Sequence, residues 1–153
     1  MGELRIAREV NSVLVTYALG SCVGVSVYDP TNRVGGLLHA MLPSSEVSSA
    51  SDTKRLQKYV NTGLVALFRE VIAMGGARDR LEVKMAGGGE FLNSNQIYKI
   101  GERNIAAVHS FLSRNNLLMA AEHTGGRSSR AMWLDLETGT VTLNIPNADP
   151  LKI

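Results

Sequence analysis

Between Thr16 and Pro43 the sequence holds two strand-like runs around one turn, and this stretch restricts the fold more than any other. Val23 to Asp29 alternates apolar and small residues with period two, and Val34 to Leu42 is mainly apolar. Asp29-Pro30-Thr31-Asn32-Arg33 between them has the composition of a turn. An antiparallel hairpin is expected. With Pro30 to Arg33 as its loop, Asp29 pairs with Val34, Gly24 lies opposite His39, and Cys22 lies opposite Met41. Opposed residues share a face, so Cys22 and His39 become diagonal neighbours, roughly 7–8 Å apart at the backbone. A slip of one residue would send them to opposite faces. Gly35-Gly36 is where a bulge would change the register.

Cys22 is the only cysteine and sits in Leu19-Gly20-Ser21-Cys22, a corner of small residues. A thiol there with an imidazole on the next strand fits a nucleophile and its base. The same thiol also reads as a small buried hydrophobe, and both readings stand at this point. Thr16, on the preceding strand, has a hydroxyl able to accept a hydrogen bond from the second ring nitrogen and fix the tautomer. Backbone amides at Gly20, Ser21 and Cys22 are the natural donors to an oxyanion. The thiol is expected to be solvent-reachable and unusually nucleophilic, alkylating well below about pH 8. A single cysteine forms no internal disulfide, which fits a reducing compartment.

Composition narrows the remaining classes. The 153 residues fit one domain, 1–153, able to bury roughly two-thirds of its unfolded surface. A formal charge of +2 without basic runs gives no footprint for nucleic acid. Met1 to Glu9 mixes acidic and basic residues without an apolar centre, so no secretory leader is expected. Val13 to Tyr28 is interrupted by Gly20, Ser21 and Gly24 and is short for a membrane span. Gly87-Gly88-Gly89 follows a strand but belongs to neither phosphate-loop pattern, which leaves tight backbone packing. Cys22, His39, His109 and His123 lack clustered metal-ligand spacing, so no metal and no cofactor are expected.

Strands are expected at Glu3 to Glu9, Val13 to Leu19, Leu81 to Ala86, Leu117 to His123, Arg130 to Leu136 and Thr140 to Ile145, besides the hairpin. Leu56, Tyr59, Val60, Leu64, Leu67, Phe68 and Val71 recur at helical spacing, predicting a helix from Thr53 to Met74 with Asp52 as N-cap and Gly75-Gly76 as its stop. A second helix is predicted over Gly101 to Asn115, with Ile105, Val108, Phe111 and Leu112 inward and His109 at the surface. Ser44 to Ser51 reads as a surface loop, either a plain connector or a border of the site. Strands alternating with two helices give an α/β or α+β domain.

Several of these residues also carry a resemblance. T-x-x-L-G-S-C at Thr16 to Cys22, Y-D-P at Tyr28 to Pro30, G-G-x-x-H-x-M-L-P at Gly35 to Pro43, A-G-G-G at Ala86 to Gly89, I-G-x-R-N at Ile100 to Asn104 and T-G-x-V at Thr138 to Val141 resemble the CheD family, the glutamine deamidases of bacterial chemoreceptors. The resemblance implies a layered sandwich of two β-sheets with helices on one side, similar to the catalytic domain of toxins that deamidate Rho-family glutamines. It also implies Cys22, His39 and Thr16 as the catalytic set and chemoreceptor cytoplasmic helices as substrate. The phosphatase CheC is an implied partner, and the location is the cytoplasm, at receptor arrays. Gly89-Glu90-Phe91 departs from the family's pattern and marks Glu90 and Phe91 as substrate-side candidates. A binding module acting by docking on CheC or receptor helices is the rival class, but docking alone places no requirement on a Cys, His and Thr set. A cysteine protease is disfavoured by the absence of the local signatures of such enzymes.

Overall fold

The hairpin read from the sequence is the centre of a five-stranded sheet. In the computed structural model, which describes residues 2–45, 56–90 and 99–153, β3 (Val23–Asp29) and β4 (Val34–Ala40) pair antiparallel without a register shift. Asp29 faces Val34 and Gly24 faces His39, as the turn predicts. Gly35-Gly36 hosts no bulge. The ladder ends one residue early, at Val23 and Ala40. Cys22 and Met41 do not pair, because the Met41 N–H donates instead to the Lys58 carbonyl (2.8 Å) and the Cys22 carbonyl is taken by Gly88.

β1 (Glu3–Ala7) pairs with β4, placing Glu3 opposite His39. β5 (Glu82–Gly87) pairs with β3, and β6 (Met119–Thr124) runs parallel to β5 after the crossover through α2 (Ile100–Arg114). The order is β1-β4-β3-β5-β6. A second, antiparallel sheet holds β2 (Val13–Leu19), β7 (Arg130–Asp135), β8 (Val141–Asn144) and β9 (Leu151–Lys152) in the order β2-β7-β8-β9. β9 is absent from the sequence reading; two residues after Pro150 are too few to show a period. Helices α1 (Val60–Ala73) and α2 pack on the outer face of the first sheet, and the second sheet covers its other face.

Every residue of β3 and β4 is buried, which fits a sheet covered on both sides. Val23, Val25, Val27 and Leu38 face the helices and pack with Leu64, Leu67, Val71 and Val108. Tyr28 and Leu37 face the second sheet and pack with Leu19, Met132, Leu134 and Leu143. Full burial of each such aliphatic side chain contributes about 1.5–3 kcal/mol. The turn is locked by Asp29, whose buried carboxylate accepts from the backbone of Thr31 and Ala77 (both 2.8 Å) and pairs with Arg80 (2.7 Å). Burial alone would raise its pKa, but Arg80 and the backbone donors outweigh it and hold the carboxyl well below the usual range.

The first helix begins later than its apolar stripe suggests. Leu56–Lys58 is a single 3-10 turn and Tyr59 is extended, bridging Leu42; Val60 opens the helix with its N–H on the Leu42 carbonyl (2.8 Å). Tyr59 is buried ahead of the helix rather than on its stripe, and Leu56 is exposed. Asp52 and Thr53 lie outside the described residues. The helix stops at Gly75-Gly76 as predicted, with the Gly76 N–H returning to the Val71 carbonyl (3.0 Å).

Candidate active site

His39 stands on the face of β4 turned toward the second sheet, since it opposes Gly24 and alternates with Leu38, which packs against the helices. Thr16 stands on the inward face of β2. The two are buried, and Thr16 Oγ1 lies 2.8 Å from His39 Nδ1, a hydrogen bond that crosses from one sheet to the other. The other ring nitrogen, Nε2, is also buried and has no hydrogen-bond partner among the described residues. Glu3 and Arg5 of β1 line a narrow crevice with Val15, Thr16, Leu37 and His39.

Just beyond Thr16, β2 bulges. Thr16 pairs with Met132 and Leu19 with Arg130, so one extra residue is inserted, and Ala18 takes φ +58° to absorb it. The bulge reverses the parity of the strand. Leu19 turns into the inter-sheet core while Tyr17 and Ala18 face out, and the chain then enters Gly20-Ser21-Cys22.

All three carbonyls of that corner are held. Gly20 O accepts from Gly89 N–H (2.7 Å), Ser21 O from Asn104 Nδ2 (2.9 Å), and Cys22 O from Gly88 N–H (2.7 Å). No backbone carbonyl among the described residues accepts from the Ser21 or Cys22 N–H. The glycine run is therefore the backing of the corner, as tight backbone packing predicts. A Cβ on Gly87, at φ +106°, would overlap the Cys22 carbonyl oxygen, and one on Gly101 would overlap that of Gly88.

Cys22 is half-buried and packs against the inter-sheet core, the layer into which His39 projects. Burial pushes its thiol pKa up, only partly offset by its own backbone N–H. Burial pulls the His39 pKa down, with Glu3 opposing. Both shifts favour the uncharged forms, in the opposite sense to a thiol primed as thiolate: desolvation penalises the charged form, and Nε2 makes no compensating hydrogen bond among the described residues.

Two supporting residues escaped the sequence reading. Asn104 is fully buried on α2 and spans from Ser21 O to Met41 O (3.0 Å), with Oδ1 buried and unpartnered among the described residues. Its signal was a polar residue on the inward stripe, one turn before Val108. Arg130 is buried without a carboxylate and donates to the carbonyls of Gly87 (3.2 Å), His123 (2.7 Å) and Gly125 (2.6 Å), welding the loops behind the corner. A single Arg opening a strand gives no such signal.

The remaining candidates are dispersed. Glu90 is partly buried with Oε1 unpartnered among the described residues, and with Glu102 and Arg127 it borders a shallow cavity beside Gly88. Phe91 and residues 46–51 of the serine-rich loop lie outside the described residues; Ser44 and Ser45 are tied to Asn61. His109 is exposed and pairs with Glu122 (2.9 Å), and His123 carries a buried Nδ1 with no partner among the described residues. Among the described residues no three His, Cys, Asp or Glu side chains gather as a metal site, and no helix is long and apolar enough to cross a membrane.

The comparisons agree with one another. A family profile described as "CheD chemotactic sensory transduction" matches residues 41–145, a segment that begins two residues after His39. The proteins similar over the longer span include "Probable chemoreceptor glutamine deamidase CheD 1" of Syntrophus aciditrophicus, 38% identical over 92% of this chain and 88% of its own length. Two others carry the name "Probable chemoreceptor glutamine deamidase CheD". That of Pyrococcus horikoshii is 42% identical over 87% of this chain and 82% of its own length. That of Desulforamulus reducens is 37% identical over the whole chain and 92% of its own length. With the profile covering most of the sequence and such relatives spanning nearly all of it, the chain belongs to the CheD family.

Proposed function

We propose that this protein is a protein-glutamine glutaminase that deamidates glutamine side chains of chemoreceptors, with Cys22 as nucleophile, His39 as base and acid, and Thr16 as the group that orients the imidazole. One observation carries the chemical part: the buried 2.8 Å contact of Thr16 Oγ1 with His39 Nδ1, which leaves Nε2 without a hydrogen-bond partner among the described residues. With Nδ1–H donating to Thr16, Nε2 holds a lone pair ready for a proton. The relatives' names carry the substrate part.

In this reading Nε2 takes the thiol proton as Sγ attacks the carboxamide carbon. The resulting oxyanion is bound by the free amides of the corner, each worth about 10²–10³ in rate. The imidazolium returns the proton to the departing nitrogen, ammonia leaves, and a thioester remains. Water, deprotonated by Nε2, then adds to the thioester; the S–C bond breaks and the thiolate regains its proton, giving glutamate. A glutamyl methyl ester would follow the same route with methanol leaving. The substrate helices place the reaction on the cytoplasmic side of the receptor array, and CheC is the partner that the family resemblance brings to the same mouth.

The test is incubation with a purified receptor cytoplasmic fragment and, separately, with free glutamine, reading ammonia and the mass gain of amide-to-acid conversion. Turnover is expected on the fragment and little on free glutamine, because Gly20-Ser21-Cys22 itself carries no charged side chain to seize an amino acid's ammonium and carboxylate. Cys22→Ala and His39→Ala are expected to abolish turnover, and Thr16→Ala to retain a part, since water can replace an orienting hydroxyl. Undiminished turnover in either of the first two, or none in the wild type, would overturn the reading.

A further inference from the structure

We infer that Asn104 is a positioning residue for the oxyanion site: by holding the Ser21 carbonyl toward the helix layer, it turns the Cys22 N–H toward the inter-sheet side, where His39 lies. The inference rests on Cys22 being the nucleophile. The Ser21–Cys22 peptide is trans, so its C=O and N–H point in opposite directions. Whatever anchors one aims the other. Asn104 Nδ2 anchors the carbonyl at 2.9 Å from α2, on the outer face of the first sheet, and its second bond, 3.0 Å to Met41 O, fixes the amide's own orientation because both partners are acceptors. The Cys22 N–H then points to the opposite side, and no backbone carbonyl among the described residues accepts from it.

A purely structural asparagine would be expected to satisfy its own oxygen. Asn104 Oδ1 is buried with no partner among the described residues, an arrangement that loses the hydration of a carbonyl oxygen without replacing it. An apolar residue of similar size would fill the same space without that cost. What it would lack is the grip on Ser21 O, and buried polar atoms left unsatisfied call for a reason of this kind.

The experiment compares two reactions of the Cys22 thiol in the folded protein. Alkylation by iodoacetamide displaces iodide at a saturated carbon and builds no oxyanion. Acylation by p-nitrophenyl acetate does: the Sγ–C bond forms, the carbonyl oxygen becomes an alkoxide, the aryl C–O bond breaks, p-nitrophenolate leaves and His39 holds the thiol proton. Asn104→Leu is expected to slow acylation, and kcat on the receptor fragment, by about 10²-fold. Alkylation and KM should stay within about twofold. Asn104→Ser, which keeps one short donor, should fall between. A parallel loss of alkylation and acylation would make Asn104 merely structural, and unchanged acylation would show the amide aimed without it; either overturns the inference. If the leucine variant fails to fold by circular dichroism, the serine variant decides by the same ratio. Failure of the deamidase reading is separable: wild type that is acylated but leaves receptor glutamines intact would reject that substrate while the ratio still judges Asn104. A wild-type Cys22 inert to acylation would reject the inference.

Discussion

Burial moves Cys22 and His39 in opposite directions along the pH axis, and both shifts favour the uncharged forms. An imidazole whose pKa is lowered stays a competent base under mildly acidic conditions. The acid limb of kcat/KM should therefore fall below pH 6.5, the ordinary imidazole value being about 6.5. A thiol whose pKa is raised is scarce as thiolate near neutrality, so alkylation of the free enzyme should climb only above about pH 8.5, the value of an unperturbed cysteine. Measuring both profiles on one preparation checks the assignment; an alkylation midpoint near neutrality would mean that a preformed ion pair exists after all. At this scale the sequence offered candidates and not their state. The thiol, the imidazole and the hydroxyl were proposed from their types, their spacing and the family resemblance, but protonation depends on how much water each group loses. Spacing along a chain carries no record of that.

At the scale of elements, the parts of the site that were readable are those built on period two. The register of β3 with β4 followed from a turn and an alternation, and it put His39 on the correct face. The bulge at Ala18 and the extended Tyr59 were unreadable because each is a local exception imposed by a distant partner: β7 in one case, Leu42 in the other. Gly87 belongs to the same class, and it can be tested. Gly87→Ala should destabilise the protein by about 2–3 kcal/mol, from the strain of a left-handed residue and displacement of the Cys22 carbonyl, and should lower kcat sharply. Gly125→Ala shares the positive φ, at +73°, but its Cβ would meet nothing within 4 Å. It should cost about 1–2 kcal/mol and leave kcat near the wild-type value. Urea unfolding with steady-state kinetics on the pair separates backbone strain from disturbance of the corner.

For the molecule as a whole, strand and helix content and the mixed class were legible from periodicity, whereas the assignment of strands to sheets was not. β1 and β2 are consecutive and yet belong to different layers, a choice that no local pattern records. That separation matters for the chemistry. The imidazole is carried by one layer and the hydroxyl bonded to it by the other, with their contact closed over 2.8 Å. On the proposed mechanism, turnover is a gauge of the gap between two slabs. Sliding or swelling by an ångström would leave each slab's ladders intact while uncoupling the pair, and loosening of packing precedes loss of the backbone ladders in expanded states. In rising urea, activity should decline at concentrations where far-ultraviolet dichroism is still native, and Thr16→Ala, already uncoupled, should lose its residual activity only together with the dichroism. Coincident curves for the wild type would show that the layers part only when the whole chain does.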